Sequence, residues 1–342
     1  MEADHSSPLV TVIIVNYNAG DRLRRCLEHL AAQVFRDFDI IVVDNASGDD
    51  SIAEATASGV EFTLINAGDN LGFAAANNLA AKSARGRWLA FLNPDAYAEP
   101  NWLSAFVAGQ RRFPAVEAFG STQIDDHDHH QLDGAGDVCS VYGIAYRGFF
   151  GWPRKKRPQD GGSFAACAAA AFYRRDVFDA LSGFDERFFC YGEDVDLGYR
   201  LLLSGGETVQ LQNAIVRHEG SGVTGRNSEF SVYHGHRNRI WLYYKNTPAG
   251  LYWLTAPLRV VGDIMLGAKA LLSGTFGAYL KAIKDGYGNL AQFRDERAVL
   301  SVQKSSEYIG RRMVWSPFAL LRRQGKTLPI EERSQTEKSR TI

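Results

Sequence analysis

The chain has 342 residues, 45% of them hydrophobic and 23% charged, which excludes a disordered protein and fits one large globular domain with an appendage. Its formal net charge of −1 gives no electrostatic reason for a nucleic-acid partner. The four cysteines, Cys26, Cys139, Cys167 and Cys190, share no CxxC or metal-ligand spacing and read as the reduced thiols of a cytosolic protein. Met1 to Pro8 is short and polar, unlike a signal peptide, and no apolar run reaches the roughly eighteen residues of a spanning helix. The expectation is a cytoplasmic protein.

Val10–Val15 is a continuous β-branched run, the pattern of a buried parallel strand, broken by Asn16-Tyr17-Asn18-Ala19-Gly20. Leu23, Cys26, Leu27 and Leu30 then recur at helical spacing. Asp39–Val43 reads as a second buried strand, ending in Asp44-Asn45-Ala46-Ser47-Gly48, with a helix from Ser51. Glu61–Ile65 reads as a third strand, Asn66–Gly72 as a polar turn, Phe73–Ala84 as a helix of small residues and Arg87–Leu92 as a fourth strand. Strands alternating with helical patterns predict βαβ units and a parallel sheet.

Asn101–Phe113 is an amphipathic helix, and residues 121–162 are expected to be irregular, a functional flap rather than a neutral connector. Phe164–Tyr173 is a small-residue apolar segment, and Asp194–Leu203 a helix stopped by Gly205-Gly206. Glu207–Leu211 and Ala214–Arg217 read as two short strands, the second ending at His218. From Asn238 to Arg312 the chain is helical, basic and rich in aromatics. Its apolar pieces Leu251–Leu258 and Val260–Leu272 are interrupted by Pro257, Arg259, Asp263 and Lys269. They are too broken to span a bilayer but suited to lie on one. From Arg323 the tail is polar and expected to be disordered.

The ordered motifs VTVIIVNYNAG, VVDNASGDDS, NLGFAAANN, FLNPDA, FDERFFCYGEDVDLGYRL and RHEGSG resemble those of family 2 glycosyltransferases, over roughly residues 9–245. NLGFAAANN with LNPDA and HGHRNRIWLYYKN is most similar to the bacterial rhamnosyltransferase branch. The resemblance implies a GT-A fold, α/β and Rossmann-like, with a mostly parallel sheet flanked by helices and a C-terminal helical extension. The implied division is a flexible N-terminus 1–8, a catalytic domain 9–237, a helical and membrane-associating region 238–322, and a tail 323–342. Residues 9–100 would bind the nucleotide sugar and 101–237 the acceptor. The implied activity is inverting transfer of a sugar, L-rhamnose from dTDP-L-rhamnose, onto a hydroxyl of a saccharide or lipid-linked acceptor in surface-polysaccharide synthesis. UDP-hexose, UDP-galactofuranose and GDP-mannose are the alternative donors. The QxxRW motif of processive synthases is missing, which fits one sugar per encounter.

The residues themselves support roles within this scheme. Asp95 sits at the end of the fourth strand, where open α/β sheets bind ligands. It matches the second acid of a DXD motif, with Asn93 standing where the first would be. One carboxylate suffices for Mg²⁺ or Mn²⁺ when phosphates supply further oxygens. The resemblance makes His218 a second metal ligand and sets Asp44 on the base. Asn16 and Asn18 suit hydrogen bonds to the nucleotide, and Asn70, Gly72, Phe73 and Asn77 form a turn and helix start that favour an anionic donor. Asp194, at a helix start, is the expected base for the acceptor hydroxyl, with Glu193 orienting it or binding acceptor. Asp196 reads as a cap or salt-bridge partner. The Asp125–His130 cluster and the basic run Arg154–Arg157 read as solvated loops. A nucleotide-dependent oxidoreductase is disfavoured because NYNAG, not GxGxxG, follows the first strand. A non-catalytic sugar-nucleotide-binding module is disfavoured because Glu193-Asp194 is present. The helical region could alternatively pack only on the catalytic domain or form a homodimer.

Overall fold

A computed structural model describes residues 7–220, 228–300 and 305–330. Residues 1–6 and 331–342 of the two expected flexible ends, and Ser221 and Gly222 of the RHEGSG motif, lie outside the described residues. Strands β1 (Val10–Asn16), β2 (Phe38–Asp44), β3 (Thr63–Asn66) and β4 (Trp88–Leu92) are parallel, in the order β3-β2-β1-β4. Every residue of β1 and β4 is buried, as their unbroken apolar runs require of central parallel strands. A short strand β5 (Ala96–Ala98) follows β4.

The second half of the sheet is built from β6 (Ala118–Asp125), β7 (Leu132–Gly134), β8 (Asp137–Cys139), β9 (Ala145–Arg147), β10 (Gly161–Ser163), β11 (Ala170–Arg174) and β12 (Thr208–His218). The sheet continues from β4 as β11-β6-β12-β10, with β11 the reversed strand between β4 and β6. β8 and β9 form a separate two-stranded sheet.

Helices α1 (Asp21–Ala31), α2 (Ser51–Ala57) and, after α3 (Gly72–Ser83), α4 (Trp102–Arg112) share one apolar core with one face of the sheet. α3, α5 (Arg175–Ala180) and α6 (Glu193–Leu203) share a core on the other. Leu23, Cys26, Leu27 and Leu30 are the buried stripe of α1, the face its spacing predicts. α3 buries Ala74, Ala76, Ala80 and Ala81, so short side chains carry its packing on the strands. At its start Gly72 has φ +79°, and a Cβ there would lie 2.4 Å from the Phe189 ring. No other residue fits that turn.

A third core joins β8, β9 and α6 to α7 (Glu229–Asn246) and the helices after it. These include α8 (Ala249–Leu254), α9 (Ala256–Leu272) and α10 (Phe276–Gly288), which runs along α7. Trp241 Nε1 donates to Gly286 O at 3.0 Å across that contact. α7 is continuous through the expected boundary at 237/238. Among the described residues no helix is long and apolar enough to cross a membrane.

Several expectations are corrected. Residues 121–162 are not irregular: β6 is a buried central strand, and β7 to β9 follow it. Its polar residues hid it, because their partners come from distant chain. Trp102 Nε1 donates to Ser121 Oγ at 2.8 Å, and Thr122 Oγ1 donates to Leu211 O at 2.9 Å. The two strands expected at 207–217 are one, β12, with an irregularity between Leu211 and Ile215. Residues 323–330 are not a disordered tail: Leu328 bridges Gly162, and each N–H donates to the other's carbonyl.

α6 and α7 are pinned by a buried ionic cluster. Asp196, fully buried, accepts from Arg200 Nε at 2.7 Å and Asn246 Nδ2 at 2.7 Å, and lies 2.9 Å from Lys245 Nζ. Asp185 lies 2.7 Å from the same Lys245 Nζ. Asp196→Ala leaves Arg200 and Lys245 short of a counter-charge in the interior and is expected to cost about 3–5 kcal/mol. A guanidinium unfolding midpoint unchanged from the native protein would contradict this.

Candidate active site

The chain leaves β4 through Asn93-Pro94-Asp95 in a tight turn, Ala96 N–H donating to Asn93 O at 3.0 Å. β5 then pairs antiparallel with the end of β12, setting Ala96 opposite His218. Two residues far apart in sequence thereby meet. His218 Nε2 lies 3.3 Å from Asp95 Oδ1, with both side chains buried. On the other side of the ring, Nδ1 is 2.7 Å from Asp133 Oδ2 of β7, and Arg147 of β9 forms an ion pair with that same carboxylate. Glu219, the next residue, accepts from Arg22 Nε at 2.6 Å, Arg25 Nη1 at 2.8 Å and Tyr97 Oη at 2.6 Å, which locks α1 to the end of β12.

Burial alone would lower the pKa of His218, but the carboxylates of Asp95 and Asp133 outweigh it and raise it to about 9. Nε2 is nevertheless buried without a well-formed hydrogen bond. Once the Nε2 proton leaves, an imidazole whose Nδ1–H is held by Asp133 presents its Nε2 lone pair beside Asp95. One carboxylate oxygen with one imidazole nitrogen is a donor set that fits a divalent cation such as Mn²⁺ or Mg²⁺.

Asp95 and His218 line one end of a cavity of about 910 Å³, within the usual size of small-molecule sites. Glu193 and Asp194, at the start of α6, line it too. Gly192 precedes them at φ +86°, a left-handed turn that begins the helix. Asp194 accepts from Ala168 N–H at 3.0 Å and Val195 N–H at 2.8 Å. Burial raises its pKa, and those two N–H groups oppose the rise. Glu193 is pushed well above the usual carboxylate range by burial and by the Asp194 charge. Asp137 is raised the same way, by burial and by Asp194. All three carboxyls are raised by burial, and Asp194 is the one whose rise is opposed by hydrogen bonds from Ala168 and Val195. Asp137, Cys167 and Asp194 present ligand atoms within 4.8 Å of one another.

Not every expected residue reaches this cavity. Asn70, Gly72, Phe73 and Asn93 line it. Asn16 is buried beneath it, donating to Ser47 Oγ at 2.9 Å and Ser51 Oγ at 2.8 Å. Asn77 donates to Phe73 O at 2.8 Å within its own helix. Asp44 accepts from Asn16 Nδ2 and Ser47 N–H, and Asn18 accepts from Gly48 N–H at 2.8 Å; neither lines the cavity. These four hydrogen-bond within the surrounding loops and helix and are not among the residues that line the cavity. Asn45 takes the place beside Asp44, with its Nδ2 donating to Asn70 Oδ1 and its Oδ1 accepting from Leu71 N–H, each at 2.9 Å. Tyr17, Asp137, Arg147, Arg239 and Lys269 also line the cavity and were missed. Asn45 stood inside a quoted motif. Asp133, Asp137 and Arg147 belong to the segment read as a flap, where sequence gave a location but no individual roles. The basic turn at Arg154–Lys156 is outside the cavity lining, as is the His127–His130 loop.

The mostly parallel α/β sheet gathers these acids at its strand ends, the edge where such sheets bind ligands, in a GT-A fold. The model of glycosyl transferase family 2 matches residues 11–182, and the chain belongs to that family. It is 28% identical over 274 residues to the N-acetylglucosaminyl-diphospho-decaprenol L-rhamnosyltransferase of Mycobacterium tuberculosis, covering 73% of this chain and 88% of that one. The fold is shared with a mannosyltransferase from Pyrobaculum calidifontis in complex with GDP-Man and Mn²⁺, at TM-score 0.55 and 17% identity, covering 90% of this chain and 86% of that one. It is also shared with GalNAc-T7 with UDP, GalNAc and Mn²⁺, at TM-score 0.64 and 15% identity, covering 93% of this chain and 58% of that one.

Because folding raises the His218 pKa from an ordinary 6.5 to about 9, its stabilising charge is fully present below about pH 6.5 and is lost as pH rises through 9. In metal-free protein the imidazole NMR signals of His218 should titrate near pH 9, and the thermal midpoint should fall between pH 7 and 9.5. His218→Gln should flatten that part of the profile. A midpoint near 6.5 would contradict the ion pairing.

Proposed function

We propose that this protein transfers L-rhamnose from dTDP-L-rhamnose, with inversion, to a hydroxyl of a lipid-linked saccharide in surface-polysaccharide synthesis. The chemistry rests on one observation: a half-buried carboxylate, Asp194, shares a cavity with the strand-end pair Asp95 and His218. The choice of sugar and acceptor is supported by the named activity of the mycobacterial relative.

Asn70, Gly72 and Phe73, with Asn45 and Tyr17, bind the nucleotide end of the donor, and Asn93 sits beside its phosphates. Asp95 and His218 hold a divalent cation, Mn²⁺ or Mg²⁺, which would offset charge on the departing diphosphate. Asp194 accepts the proton of the acceptor hydroxyl. That oxygen forms a bond to the anomeric carbon from the face opposite the leaving group. The bond from that carbon to the diphosphate oxygen breaks, and dTDP leaves with the electron pair. Glu193 orients the base or binds the acceptor. The apolar, basic helices after α7 rest peripherally on the cytoplasmic face of a membrane, where such an acceptor is presented.

Asp194→Asn deletes the basic oxygen with little change of shape, so transfer should fall about 10²–10⁴-fold. Calorimetric affinity for dTDP-L-rhamnose should stay the same. In a panel with UDP-glucose, UDP-galactofuranose and GDP-mannose, dTDP-L-rhamnose should give the largest thermal stabilisation. Retained turnover would reject the base, and preference for another nucleotide sugar would reject the donor.

Asp133 serves as a positioning residue, because it alone holds the Nδ1 side of the His218 ring at hydrogen-bond distance with a carboxylate. Asp133→Asn should weaken Mn²⁺ binding in the presence of dTDP about 10–100-fold, read by the electron paramagnetic resonance signal of free Mn²⁺. Unchanged Mn²⁺ affinity would remove Asp133 from that role.

A further inference from the structure

α9 is built inside out for a helix facing water. Its exposed residues run from Pro257 through Val260, Ile264 and Leu271 to Leu272, and Lys269 alone among them is charged. Leu272 is 90% exposed and Ile264 66%. The other two charges of the helix turn inward. Arg259 stacks on the Tyr252 ring at 3.8 Å, and Asp263 pairs with Arg239. Trp253 and Leu254 at the end of α8 add to the apolar surface. A face of this size and composition is suited to a hydrocarbon phase.

The same helix forms part of the catalytic cavity, through Leu266 and Lys269. At 100° per residue Lys269 falls between the inward face, marked by Gly262 and Leu266, and the exposed apolar face, marked by Met265 and Leu272. It therefore stands where the cavity meets the apolar surface. Four lysine and arginine side chains line the cavity: Arg147, Arg239, Lys269 and Arg323. Arg147 is paired with Asp133, and Arg239 with Asp263. Lys269 and Arg323 have no carboxylate partner among the described residues. Lys269 is thus an uncompensated charge at the junction of a polar cleft and an apolar ridge.

We infer that Lys269 is the contact for the diphosphate of a lipid-linked acceptor, whose sugar enters the cavity toward Asp194 while its hydrocarbon chain lies along the exposed face of α9. The three parts of such a molecule, in order, are a sugar, a dianionic linker and an apolar chain. The protein offers, in the same order, a polar cavity with a base, an unpaired cation and an apolar helix face. Lys269 binds as a point charge, which suits phosphate without demanding one geometry. This rests on the lipid-linked reading of the acceptor given above.

The test compares two synthetic acceptors in neutral detergent with dTDP-L-rhamnose as donor: N-acetylglucosamine on a diphospho-alkyl chain, and the same sugar on a neutral alkyl chain. Lys269→Gln should raise KM for the diphosphate acceptor about tenfold or more, leave KM for the neutral acceptor within twofold, and leave the thermal midpoint unchanged. Lys269→Arg should restore most of the difference. Equal effects on both acceptors, or none on either, would overturn the assignment. If the unaltered protein glycosylates neither acceptor but does glycosylate a soluble saccharide, the lipid-linked reading itself fails. Vesicle flotation separates a membrane headgroup from the acceptor diphosphate as the anion. Loss of binding to anionic phosphatidylglycerol vesicles in Lys269→Gln, with acceptor KM unchanged, would assign the residue to headgroups and overturn the proposal. Ile264→Asp with Leu271→Asp should abolish binding to those vesicles. If the unaltered protein is instead a dimer that this double variant splits, the face is an interface between copies and the proposal falls.

Discussion

The antiparallel pairing of β5 with the end of β12 is the constraint on which the site depends. β5 is three residues long, and it brings the turn after β4 against a strand more than a hundred residues later. Without that pairing Asp95 and His218 would lie at separate strand ends. The pairing is held from outside by Glu219, whose carboxylate takes hydrogen bonds from Arg22, Arg25 and Tyr97. α1, β5 and β12 are therefore one mechanical unit. The ring of His218 is held from a third direction by Asp133 on β7, so its position is set by three elements of the sheet. Residues carried on paired strands keep their geometry better than residues on loops.

Burial does the chemical sorting. Glu193, Asp137 and Asp194 crowd one wall of the cavity, and in a poorly solvated space they cannot all ionise. Two backbone N–H groups oppose the rise at Asp194, so environment rather than residue type shifts these carboxyls. Asp196, two positions on, has the opposite fate. Arg200 and Lys245 hold it ionised against the cost of burial, and it ties helices together.

The helices after α7 are continuous with the catalytic domain, not appended to it. α7, with its N-cap Ser228, supplies cavity residues as far as Leu242 and also buries Trp241 in the third core. α9 closes one side of the cavity and turns its other side, apolar, to the exterior.

Local pattern was enough for the first half of the fold. β1, β2, β4 and the stripe of α1 follow from unbroken apolar runs and from 3.6-residue spacing, which need no knowledge of distant chain. The family motifs likewise marked Asp95, Asp194 and His218, because each sits where an apolar strand ends or a helix begins. β6 was illegible, since Ser121, Thr122 and Gln123 are polar, and only Trp102 and Leu211 explain how two of them are satisfied when buried. Asn16 and Asn77 looked like ligand contacts for the converse reason: an amide in a loop or helix can face a cleft or a backbone, and packing alone chose the backbone or a neighbouring hydroxyl. Asp133 and Arg147 carried no sequence signal, and the exposure of α9 could not be told from burial by its composition. The sequence by itself determined the strands and helices of the first half and which acids stand at their ends, because those are local properties. Only the tertiary structure decided which of those residues meet, which side chains are used up internally and which charges survive burial, because each depends on partners contributed by distant parts of the chain.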